Sequence, residues 1–352
     1  MIRIRQALSR RPASVPEAAP DARRVMQPDT QSGTRDVAST TKLTDRPSCG
    51  QVRVRSIRHA SMIAVLAGLL FAGFVQASAA QAVYPTPDAA AAALQQAMAT
   101  QDEDALKKVL GSDFRRFVPP TSEDDIYAFL SAYARQHSIV DDGQGTAHLQ
   151  AGDSGWTLPV PILKSAKGWR FDVRKGQEEM LVRRIGRNEL AAIQTVLAIG
   201  DAQRDYATSQ GKTVYADRFV SHPGKHDGLY WPVAEGEAES PLGALAAVMD
   251  PKAREGGGYH GYHYRILTAQ GSDAPGGAHS YIENGIMSGG YAVIAWPVQY
   301  NNTGVMTFIA GSDGKVYQHN FGAQTATRVG SIKAFDPSSE WTPVPDAQTA
   351  AQ

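Results

Sequence analysis

A run of fourteen residues without a charge, Met62–Val75 (MIAVLAGLLFAGFV), decides where folding can begin in this chain. Arg53, Arg55 and Arg58 precede it, and Ala77-Ser78-Ala79 and Ala80-Gln81-Ala82 follow. A basic flank, a short apolar segment and an A-x-A site together read as a secretory signal peptide, here 59–82. The run is shorter than the roughly 20 residues that a comfortable membrane span needs. Cleavage after Ala79 or Ala82 would give a periplasmic chain that starts near Tyr84-Pro85. The alternative is an uncleaved anchor. No cysteine follows the apolar run, so nothing supports a lipoprotein anchor.

The same run divides the charge. Residues 1–80 hold 12 Lys+Arg and 5 Asp+Glu of the chain's 35 and 35, a net of +7, which leaves 23 and 30, a net of −7, for residues 81–352. Residues 1–58 are rich in Arg, Ser, Thr, Pro and Asp without an apolar period. They read as a disordered leader, or as sequence ahead of a true start near Val52 or Val54. An acidic remainder argues against a nucleic-acid partner. Cys49, the one cysteine, lies before the apolar run. That excludes a disulfide framework and a multi-cysteine metal site, and it suits an oxidising compartment.

After the leader the pattern is α+β. Thr86-Pro87-Asp88 caps and opens a helix, and Ala90, Leu94, Ala97 and Met98 fall at helical spacing. A second helix reads Asp102–Leu110 and stops at Gly111. A third starts near Ser122, with Ile126, Phe129, Leu130 and Tyr133 on one stripe. The period then shortens to two. Thr146–Ala151, Trp156–Leu163 and Gly168–Arg174 read as a meander with turns at Asp142-Gly143 and Lys167-Gly168. This order, over 84–180, resembles the cone-shaped nuclear transport factor 2-like fold. Catalytic members of such a fold need convergent polar groups inside the cone, for which Asp113, His137, His148 and Asp172 are available here.

A second domain is expected over 186–340. Arg183–Arg187 reads as a basic junction, Asn188 as the cap of a helix through Tyr206, and Gly211 as its stop. Tyr259–Thr268, Tyr291–Val298, Gly304–Ala310 and Lys315–Phe321 read as strands, the last two joined by the hairpin signal Gly311-Ser312-Asp313-Gly314. One helix docked on an antiparallel sheet follows. Residues 341–352 are expected to be a disordered tail.

The motifs G-R-N-E-L-A-A-I-Q at 186–194, D-G-L-Y-W-P at 227–232 and Y-H-G-Y-H-Y-R-I-L-T-A-Q-G at 259–271 carry a specific resemblance, joined by G-G-A at 276–278, G-G-Y-A-V-I-A-W-P at 289–297 and T-G-V-M-T-F-I at 303–309. They are similar to a bacterial secreted-protein family, domain of unknown function twenty-nine fifty, over about 84–340. The resemblance implies an envelope location and assigns no chemistry. The helix Asn188–Tyr206 and the Y-x-Y strand also resemble the globular heads of type IV pilins and pseudopilins, though no apolar helix directly precedes Asn188.

No catalytic motif survives inspection. Gly256-Gly257-Gly258 lacks the Gly-Lys-Ser/Thr of a phosphate loop. His260 and His263 point to opposite faces of a strand, and Pro223-Gly224 interrupts His222 and His226, so no metal and no cofactor are expected. Tyr230, Trp231, His260, Tyr262, Tyr264, Arg265, Tyr281 and Trp296 form the candidate ligand-binding set: flat rings for a glycan or peptide, and a guanidinium for a carboxylate. The competing reading makes those rings core. The sequence therefore points to a non-enzymatic binding or assembly module of the cell envelope, with an envelope protein, peptide or glycan as partner. Its rivals are a hydrolase or transferase using the aromatic cleft with Asp227, His260 or Arg265, and a pilus-associated minor subunit.

Overall fold

The computed structural model describes residues 80–233, 239–243 and 258–345. All of them fall in one compact unit, Gly73–Gln352. The expected leader and most of the expected signal peptide, like Gly256 and Gly257, lie outside the described residues.

The first three helices begin where their caps require. Thr86 accepts from the Ala89 N–H ahead of α1 (Pro87–Ala99). Asp102 accepts from Asp104 and Ala105 ahead of α2 (Glu103–Leu110). Ser122 accepts from Asp125 ahead of α3 (Glu123–Arg135). Each bond satisfies a helix-terminal N–H that has no partner within its own helix. Four antiparallel strands follow as a meander: β1 (His137–Asp141), β2 (Thr146–Ala151), β3 (Ile162–Ser165) and β4 (Gly168–Phe171). Ala147, Leu149 and Ala151 alternate inward along β2. The first core gathers Leu94, Phe114, Ile162 and Phe171.

The main departure from the sequence reading is α4, a single helix of 37 residues, Val173–Ser209. Asp172 caps it by accepting from Arg174 and Lys175. The helix therefore takes the place of the end of the third expected strand, Gly168–Arg174, and runs through the expected basic junction without a break. Asn188 is not a cap. Its Nδ2 donates to the Thr303 carbonyl at 2.8 Å, so a residue type that favours caps is here used for a tertiary bond. Arg183 likewise is no linker residue, donating to the Thr157 carbonyl and hydroxyl at 2.6 and 2.9 Å.

The second sheet is antiparallel in the order β13-β12-β11-β10-β5, built from β5 (Tyr262–Leu267), β10 (Ala292–Pro297), β11 (Thr307–Gly311), β12 (Val316–His319) and β13 (Thr342–Pro343). Two small ribbons, β6 (Ala269–Gln270) with β7 (His279–Ser280) and β8 (Ile282–Glu283) with β9 (Ile286–Met287), lie between β5 and β10 in sequence. The C-terminal half of α4 covers one face through Ala192, Val196, Ile199 and Tyr206. A short helix, α5 (Thr325–Ser331), lies against β10. The start of the expected disordered tail is ordered: Thr342 and Pro343 pair with β12, and Trp341 meets Phe321 edge-on at 5.6 Å. The architecture is α+β, with two hydrophobic cores bridged by one helix.

Candidate functional site

The predicted aromatic set does not form an open cleft. Tyr262 and Tyr264 are 0% exposed and Tyr281 is 2% exposed. Tyr262 donates to the Met306 carbonyl at 2.9 Å, Tyr264 to the Tyr259 carbonyl at 3.3 Å and Tyr281 to Gln270 Oε1 at 3.0 Å. Each hydroxyl is thus satisfied inside the core, as a buried phenol requires. Burial raises all three phenol pKa values, that of Tyr281 to about 12.

The remaining members are also committed elsewhere. Arg265 lies on the face of β5 opposite Tyr264, half-buried. It donates to the Val329 and Ile332 carbonyls at 2.9 and 2.7 Å, so it caps the C-terminus of α5 rather than waiting for a carboxylate. Its guanidinium lies 5.4 Å from the Trp296 ring, a cation–π contact. Trp231 is buried and stacks on His226 at 4.3 Å, and Tyr230 is half-buried against the core. His260 is exposed, but not on a strand. Tyr259 and Tyr262 exchange both backbone bonds across His260 and Gly261, whose φ values of 49° and 73° make a type I′ turn. Asp227, His260 and Arg265 share no hydrogen bond.

Asp227 has a different partner. Its carboxylate receives the His222 backbone N–H at 2.8 Å and meets His222 Nδ1 at 2.7 Å. These bonds from His222 hold the Asp227 carboxyl below the ordinary aspartate range. The pair is solvent-exposed and closes the loop 222–227. His226 goes to Trp231 instead, so the two histidines do not converge. Among the described residues no group of three or more His, Cys, Asp or Glu is placed to hold a metal ion.

An open pocket lies in the first half of the described fold. A cavity of about 320 Å³ is lined by Leu94 and Met98 of α1, Leu106 and Leu110 of α2, Phe114, Val118, Ile126 of α3, Leu158 and Val160. Gln101, Glu103, Arg115, Thr121 and Glu123 supply its polar lining. The lining is an extension of the first core: α3, although its apolar residues keep helical spacing, contributes no fully buried residue and does not seal the space. Glu103 and Arg115 form a forked ion pair with bonds of 3.2 and 2.8 Å. The Arg115 bond holds the Glu103 carboxyl below its usual range. Arg115 also lies 4.5 Å from the Phe114 ring. Asp113, His137, His148 and Asp172, the polar groups the sequence offers to this half, do not line the pocket. Asp172 caps α4, and His137 stacks on Tyr133 at 3.8 Å.

The pocket was not legible as a site, because its walls read as ordinary helix faces. The only local signal is the third helix, whose apolar stripe runs beside an unusually acidic first turn, Glu123-Asp124-Asp125.

The family motifs have a structural explanation. Glu189 Oε1 accepts from the Val305 and Met306 N–H groups at 2.9 and 3.0 Å, one residue along from the Asn188–Thr303 bond. A Cβ at Gly304 would overlap the Tyr262 hydroxyl. The motif at 186–194 thus grips the motif at 303–309 directly, and Gly304 of the latter packs against the buried Tyr262 of the motif at 259–271. A family model described as protein of unknown function (DUF2950) matches residues 81–344. The chain belongs to that family. No curated protein and no solved structure matches the chain.

Proposed function

We propose that this DUF2950 chain is exported and acts in the cell envelope as a binding module, taking a small, largely apolar ligand in the helical pocket. The observation that carries the reading is the pocket itself: an apolar-walled cavity of about 320 Å³ with a few polar groups, which is the usual make-up of a small-molecule site. Export rests on the basic–apolar–small-residue order around Met62–Val75. The fold adds a preference between the two cleavage sites. Gln81 Nε2 donates to the Val109 and Phe171 carbonyls at 3.0 and 2.8 Å, and the Ala82 N–H reaches the Lys108 carbonyl. Cleavage after Ala79 keeps these bonds, and cleavage after Ala82 removes them.

N-terminal sequencing of the protein from a periplasmic fraction tests the export. It should give Ala80 as the first residue; an intact leader in the cytoplasmic fraction refutes it. Titration with octanol, watched at the Met98 methyl by NMR, tests the pocket. A second reading, a pilus-associated minor subunit, draws on α4 lying across an antiparallel sheet. Unaltered piliation after gene deletion would dismiss it.

A further inference from the structure

We infer that the ligand is an amphipathic cation, an amine whose apolar body fills the helical pocket and whose ammonium group meets Glu123; this rests on the pocket being the binding site. Three charged side chains line that pocket: Glu103, Arg115 and Glu123. They are not equivalent. Arg115 is held by both oxygens of Glu103 and lies over Phe114, so its positive charge is already answered. Glu123 has no ion pair or hydrogen bond from another side chain among the described residues. The helix dipole accounts for an acid in the first turn of α3. It does not supply a counter-charge at the cavity.

The consequence is a difference in what a ligand must displace. A carboxylate could reach Arg115 only by breaking the forked pair with Glu103, and it would then sit beside both Glu103 and Glu123. An ammonium group meets an unpaired carboxylate and breaks nothing. The apolar walls supply the affinity for either ligand, and the charge at the mouth selects between them.

The test compares three ligands with one apolar body, octylamine, octanol and octanoate, by calorimetry on the secreted chain near neutral pH and at low salt. Octylamine should bind about tenfold tighter than octanoate, with octanol between, since attraction and repulsion at an exposed carboxylate each amount to a few-fold. The preference should fall as salt is raised. Glu123→Gln, an exposed position, should reduce the preference for octylamine over octanoate to about twofold or less, read as the ratio of the two affinities on the same variant so that any general change in the pocket cancels. Octanoate binding as tightly as octylamine, or a preference that persists in Glu123→Gln, overturns the inference while leaving the pocket intact. Failure of all three ligands to bind overturns the pocket reading itself.

Discussion

Replacing Glu189 by alanine tests how the long helix is fastened to the second sheet. One oxygen of Glu189 accepts two backbone N–H bonds, at 2.9 and 3.0 Å, from Val305 and Met306. A hydrogen bond to a charged group contributes about 1.5–3 kcal/mol where it is shielded from water. Val305 and Met306 are half-buried, so water replaces part of each lost bond. The expected loss for Glu189→Ala is about 2–3 kcal/mol in total. Glu189→Gln keeps an acceptor of the same shape and removes only the charge, so it should cost about 1 kcal/mol. Leu190→Ala, at a residue 47% exposed, should stay within about 0.5 kcal/mol of the parent. Urea unfolding followed by tryptophan fluorescence reads all three. With a slope of about 2–3 kcal/mol/M, the alanine variant should lower the midpoint by about 1 M. A midpoint shift no larger than that of Leu190→Ala would refute the clamp.

Gly304→Ala should lose at least about 2 kcal/mol of stability in urea unfolding, because the new methyl collides with the hydroxyl and the ring of the buried Tyr262. Arg265→Met strips the C-terminal carbonyls of α5 of their donor and should cost about 2 kcal/mol, with faster hydrogen exchange around Phe335 as a local readout. The folded pKa of Asp227 lies below its ordinary value, so its bonds to His222 stabilise the fold above the unfolded pKa. That contribution is lost as pH falls through the folded pKa, which places the loss below about pH 4. Acid titration of Asp227→Asn should show a weaker pH dependence of stability in that window.

Much of the first half was readable because its signals are local. Thr86, Asp102 and Ser122 each satisfy a backbone group two or three residues away, and the Ala147–Leu149–Ala151 alternation is a property of one strand. The hairpin at Gly311–Gly314 was legible for the same reason. What failed was non-local. Asn188 bonds across 115 residues to Thr303, and nothing nearby in sequence distinguishes that use from a cap. The strand expected from Tyr259 begins at Tyr262, because His260-Gly261 makes a turn that a strand-rich run disguised. Tyr262 and Tyr264 alternate as predicted, but the face they share is covered by α4. Periodicity gives the two faces of a strand and not which of them is open. The pocket depends on α3 failing to seal a gap, which is a fact of packing.

Binding by this protein depends most directly on whether the helical pocket admits an apolar ligand. Octanol titrated into the protein should shift the Met98 methyl resonance saturably. In Leu106→Trp, which fills the pocket from α2, the shift should vanish while thermal unfolding stays cooperative. A Met98 resonance that does not move at the highest soluble octanol concentration, or one that moves equally in Leu106→Trp, would contradict the central claim.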